Sequence, residues 1–209
     1  MWTCLKTWGQ IMNEEKICFI IYCDNRMNYS DNLEYIRGLN VPKDIQVECL
    51  SIENNRTKFA AFNEGMYASD AKYKVYISSN DYIINKNFIY DILKIFETDD
   101  KIAIVGTVGR KGSFSEDLEA MEYGKKMIDS LEYGINMKEY CAIDNAIEEV
   151  DSIDDTLIAT AYDFPWEEDM ELVLDSHITA HCERLKHEGY KTVVAKQDEP
   201  WLFKETILA

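Results

Sequence analysis

The residues best equipped for chemistry fall in four short polar clusters that interrupt apolar stretches: 23–25 (CDN), 54–58 (NNRTK), 78–82 (SSNDY) and 163–169 (DFPWEED). Arg56 and Lys58 open a predicted helix, where the N-terminal amides and the helix dipole favour a phosphate group. Glu168 and Asp169 stand at the start of another predicted helix. Taken alone, such a run at a helix start is an ordinary favourable interaction with the dipole. His177 and His181 are four apart on that helix, a spacing that can grip one metal ion. The run H-I-T-A-H lacks the Glu of H-E-x-x-H and has no obvious third ligand, which favours a structural role. The acidic cluster Glu148, Glu149, Asp151, Asp154 and Asp155 reads as a solvated edge. Neither a G-x-G-x-x-G phosphate loop nor a G-x-S-x-G nucleophile elbow is present.

Such clusters need a scaffold, and the totals favour one domain. The chain has 209 residues, 46% of them hydrophobic, with a formal net charge of -17. That charge argues against a nucleic-acid partner and against an anionic membrane surface. It also means that any bound phosphate needs local relief, from a cation, a helix N-terminus or a placed Lys. The cysteines show no C-x-x-C pair, and Cys18, Cys23 and Cys49 sit in apolar strand-like runs. Reduced, buried thiols of a cytoplasmic protein fit this pattern. No apolar run is long enough to predict a membrane span. Residues 1–15 read as an N-terminal extension in which Trp2, Leu5, Trp8 and Met12 have helix-like spacing. Such a helix would pack on its own domain or on a partner subunit, which leaves homo-oligomerisation open.

Apolar patterning alternates between short β runs and longer helical stretches. Strands are expected at 16–22, 45–52, 72–78 and 101–105, with helices at 30–39, 56–69 and 87–97 between and after them. This order predicts an α/β fold with a mostly parallel, Rossmann-like sheet flanked by helices. From 109 to 150 the chain turns acidic and amphipathic, and 115–133 predicts a helical insertion. A strand at 156–161, a helix near 171–188 and a strand at 192–195 complete the series. In open parallel sheets ligands collect beyond the carboxyl ends of the strands. All four polar clusters are predicted there.

The stretch 58–84 (KFAAFNEGMYASDAKYKVYISSNDYII) resembles the glycosyltransferase family 2 pattern, in which a helix with a buried Asn precedes a strand ending in Asp-x-Asp. The segments 103–111, 157–169 and 189–195 and the Pro-Trp at 200–201 resemble a bacterial glycosyltransferase-like branch, in consistent order along the chain. The resemblance implies a GT-A domain over 16–209, with a nucleotide-binding half at 16–108, the helical insertion at 109–150 and an acceptor half at 151–209. It implies transfer of a sugar from a nucleotide sugar, UDP-linked, to a hydroxyl acceptor with inversion.

Carried onto this chain, the family pattern makes Asp169 the base, beside Glu168. Cys23, Asp24 and Asn25 fall where such proteins hold the nucleoside. Asp24 would accept from a ribose hydroxyl or a base imide, or else cap the following loop. Arg56, Lys58, Asn63, Asn80 and Asp81 complete the implied donor site. Asp154, Asp155 and Trp166 fall on the acceptor side, Trp166 as an apolar platform for a sugar ring. The Asp-x-Asp positions read Ser78 and Asn80, which leaves Asp81 as the one acidic residue to hold a divalent cation, Mn2+ or Mg2+. Lys204 stands near the position where the branch has a His. It would serve as a point charge on the diphosphate, or the site has decayed into a module that only binds nucleotide or a partner protein.

Overall fold

In the computed structural model, residues 12–23, 26–53, 57–112, 120–130, 134–168 and 174–205 are described. The first half of the chain contains β1 (Asn13–Tyr22), α1 (Arg26–Arg37), β2 (Gln46–Ile52), α2 (Lys58–Ala68), β3 (Ala71–Ser78), β4 (Asp81–Ile83), α3 (Phe88–Thr98) and β5 (Ile102–Gly106). Four strands come next: β6 (Val108–Lys111), β7 (Met121–Ser130), β8 (Gly134–Glu139) and β9 (Ile147–Val150). The remainder is β10 (Ser152–Ile153), β11 (Leu157–Thr160), α4 (Leu174–His187), β12 (Lys191–Ala195) and β13 (Leu202–Lys204).

The main sheet has the order β2-β1-β3-β11-β5-β12-β9. β2, β1, β3, β5 and β12 run one way, while β11 and β9 oppose them. Strand residues alternate between two apolar layers, as the period of two requires. Ile17, Phe19 and Ile21 of β1 join α1 and α3 in one layer, while Cys18 and Ile20 join α2 and α4 in the other. Gly65 lets α2 press against β1, because a Cβ there would lie 2.4 Å from the Ile20 side chain. Burying Phe59, Phe62 and Met66 of α2 stabilises this contact by about 1.5–3 kcal/mol for each side chain.

A second sheet, β10-β6-β7-β13-β4 with β8 on β7, replaces the helical insertion expected at 109–150. Residues 121–130 and 134–139 are a β-hairpin, and 113–119 and 131–133 lie outside the described residues. Charge pairing explains the difference. Lys125 pairs with Glu139 and Lys126 with Asp154, so the charged residues are matched across the sheet, not along a helix face. Gly124, at φ 102°, lies so close to β6 that a Cβ would sit 2.1 Å from the Thr107 carbonyl oxygen. Two boundaries also move. β1 begins at Asn13, within the expected extension, and α1 begins at Arg26, ahead of the helix expected at 30–39. The spacing of Trp2, Leu5 and Trp8 lies outside the described residues. Among the described residues, no helix is long and apolar enough to cross a membrane.

Candidate active site

The carboxyl edge of the sheet is tied together by backbone bonds. The Cys23 amide donates to the Ile52 carbonyl at 3.1 Å, and the Ser79 amide donates to the Tyr22 carbonyl at 2.9 Å. β3 therefore ends beside β1 and turns into β4, which carries Asp81. β13 runs antiparallel to β4 and sets Lys204 opposite Asp81. The Thr57 hydroxyl caps α2 by accepting from the Ala60 amide at 3.2 Å, and Lys58 leads that helix. Lys58 Nζ donates to the Asp155 carbonyl at 2.6 Å and to its carboxylate at 3.1 Å.

Four charges thus meet at one place: Lys58, Asp81, Asp155 and Lys204. Asp81 is 1% exposed, and burial pushes its carboxyl up to about 6 against the pull of Lys58 and Lys204. Burial pushes Asp155 the same way, but Lys58 and Lys204 more than offset it and hold Asp155 below the usual carboxylate range. Asp81 Oδ2 accepts from the Ser78 amide at 3.3 Å, while Oδ1 has no partner. Asn32 on α1 donates to the Asp81 carbonyl at 2.6 Å. Sequence reasoning missed Asn32, whose visible signal is an amide on the same helix stripe as the buried Ile36. It also missed Lys126, whose Nζ pairs with Asp154.

These residues fit a divalent cation poorly. Asp81 offers a single free oxygen, Asp155 is already bonded to Lys58, and two ammonium groups act on both carboxylates. Among the described residues, no group of three or more His, Cys, Asp or Glu side chains could hold a metal. His177 and His181 are buried in α4. His181 stacks on Trp166 with ring centroids 4.1 Å apart, and burial followed by the Arg184 charge lowers it to about 3. That is a neutral core histidine, in line with the structural role.

A second cluster centres on Asn63 in α2. Its Nδ2 donates to the Trp166 carbonyl at 2.8 Å and to Glu168 Oε1 at 2.7 Å, and its Oδ1 accepts from the Trp166 amide at 2.8 Å. Asn63 therefore anchors the loop leading to Asp169, with its amide group committed there and not turned to a nucleotide. The Trp166 ring is 4% exposed and packs among Phe59, Phe62, Tyr76 and His181, so it belongs to the core and offers no open platform. Asn80 holds the end of β13, donating to the Glu205 carbonyl at 3.1 Å. Cys23 is buried at the end of β1. Asp24, Asn25, Arg56 and Asp169 lie outside the described residues.

With this geometry in place, the sequence itself decides the family. Residues 18–208 match the family described as glycosyltransferase-like. The chain belongs to that family. No curated protein matches the sequence. Among solved structures, S. aureus TarS 1-349 in complex with UDP is 12% identical, with a TM-score of 0.54, over 91% of this chain and 60% of that one. The complex with UDP-GlcNAc is 11% identical, with a TM-score of 0.56, over 93% and 59%. TarS 1-349 without a named ligand gives 13% and 0.57, over 91% and 60%. At such identity the likeness shows the fold, which is that of a GT-A-like glycosyltransferase. The chain spans about three fifths of these structures.

Proposed function

We propose that this chain transfers a sugar from a nucleotide sugar, UDP-linked, to a hydroxyl acceptor with inversion. One observation carries the reading: Lys58 and Lys204 converge with Asp81 and Asp155 at the carboxyl edge of the sheet, where open α/β sheets bind their ligands. A departing diphosphate gains negative charge, and an enzyme must stabilise it at that moment. Two ammonium groups supply that stabilisation in this reading. Lys58 would exchange its hold on Asp155 for a phosphate oxygen, and Lys204 would act from β13. The last acidic residue of the degraded Asp-x-Asp motif, Asp81, keeps the two cations from repelling each other while the site is empty.

Asp169 is assigned the base that takes the acceptor proton as the sugar carbon is attacked. Asn63 supports it by fixing Glu168 and the backbone at Trp166. Asp154, paired with Lys126, keeps the acceptor-side assignment, while Asp155 belongs with Lys58 in the charge cluster. Incubation with a panel of UDP-sugars and assay of released UDP tests the reading. Release that collapses in Asp169→Asn supports it, whereas unimpaired release in that variant removes Asp169 from the mechanism. The second reading is a module that binds nucleotide or a partner protein without turnover. The Asp-x-Asp positions favour it, since Ser78 and Asn80 replace two cation-binding carboxylates. UDP binding without UDP release from any donor would select it.

A further inference from the structure

A groove of about 690 Å³ lies on the α3 side of the molecule, outside the charge cluster. That volume is in the range of small-molecule sites. One wall is a face of α3 that presents Asn87, Asp91, Lys94 and Thr98, while Phe88, Ile92 and Phe96 turn into the core. This wall is about 16 Å long, from the rise of an α-helix. The opposite wall comes from the segment entering β9 (Asn145) and the segment leaving β12 (Glu199). β12 ends at the same carboxyl edge as β1 and β3, so the groove opens on the edge that carries Asp81, displaced toward β9.

The lining chemistry points to one ligand class. Asp91 is a preset acceptor, raised by burial and held by the Trp201 indole. Asn87 accepts from Asn40 through Oδ1, leaving its amide donors to the groove. Ala146 and the half-buried Ile147 add apolar surface, while Ile95 and Trp201 are buried behind the lining. An anionic ligand is disfavoured, because Asp91, Asp198 and Glu199 outnumber Lys94 and Lys196. Strand addition is disfavoured at Ala146, whose carbonyl already accepts from the Lys196 amide at 2.9 Å. Planar amides and carboxylates suit vicinal hydroxyls, which both donate and accept, and the apolar residues suit the C–H faces of sugar rings.

We propose that this groove binds a neutral oligosaccharide along α3, as a second site separate from the nucleotide site. The assignment concerns binding and does not depend on transfer at the first site. Calorimetric titration of the full chain with maltohexaose, cellohexaose and chitohexaose, without nucleotide, tests it. At least one should bind saturably, and Asn145→Ala and Glu199→Ala, both on exposed residues, should each weaken it about tenfold through a lost hydrogen bond. The UDP-induced thermal shift should be unchanged in both variants, which separates this site from the first. Failure of all three sugars to bind at millimolar concentration overturns the proposal, as does binding that both variants leave intact.

Discussion

Asn63 and Glu168 are joined by a hydrogen bond of 2.7 Å between α2 and the loop ahead of α4. The bond links the two halves of the domain: α2 also carries Lys58, and the residue after Glu168 is Asp169. Lys58 at the start of α2 and the loop at 166–168 are therefore held together through one buried amide.

Asn63→Ala should loosen that link. The variant strands the amide and carbonyl of Trp166, and each buried unpaired group costs about 1–3 kcal/mol. Calorimetry should show a clear fall in Tm, and hydrogen exchange at 163–168 should quicken while β1 stays protected. Unchanged exchange in the loop would contradict the anchoring role.

Lys74 supports the same loop from below. Its side chain is fully buried, and its Nζ meets Asp163 at 2.7 Å. Asp163→Ala leaves that ammonium without its carboxylate, a loss that reaches about 3 kcal/mol where a buried charge is stranded. Adding Lys74→Met should recover most of the lost Tm. If the double variant is no more stable than the single one, the pair does not hold the loop through charge.

Asp81 and His181 make opposing contributions to the pH dependence. Asp81 titrates at about 6 in the fold and near 4 when unfolded. The folded state then holds the extra proton, so this group lowers stability as pH rises from about 4 to 6. His181 titrates at about 3 in the fold and near 6.5 when unfolded. Here the unfolded state binds the extra proton, so stability falls as pH drops through that window. The two slopes mask each other in the natural chain. His181→Phe should lose less stability than the natural chain on acidification from pH 6 to 4, by on the order of 2–3 kcal/mol. Asp81→Asn should instead steepen the loss on acidification. Tm profiles from pH 4 to 8 that match the natural chain in both variants would refute these assignments.

Much of this was legible in the residues. KICFIIY can form only a buried strand, and the alternation up to Gly106 yields the sheet and its carboxyl edge. Lys58 and Asp81 were readable as candidates because each sits where a strand or helix boundary meets that edge. β7 was not readable. Its residues are half-buried on both faces, so the alternation of a strand is weak, and Gly124 interrupts it. The charges that make β7 a strand are satisfied by Glu139 and Asp154, partners that local spacing cannot reveal. β13 is too short to leave a pattern, so the meeting of Lys204 with Asp81 followed from family resemblance alone. Trp166 misled because a Pro-Trp corner looks the same whether its ring faces a ligand or the core.

The most direct test of the central claim is calorimetric titration of UDP into the protein in EDTA, beside the Lys58→Met and Lys204→Met variants. The account predicts saturable binding without metal that is weakened about tenfold or more by either substitution, the scale of one charge-assisted hydrogen bond. No binding in EDTA with binding restored by Mn2+, or equal affinity in all three proteins, would contradict it.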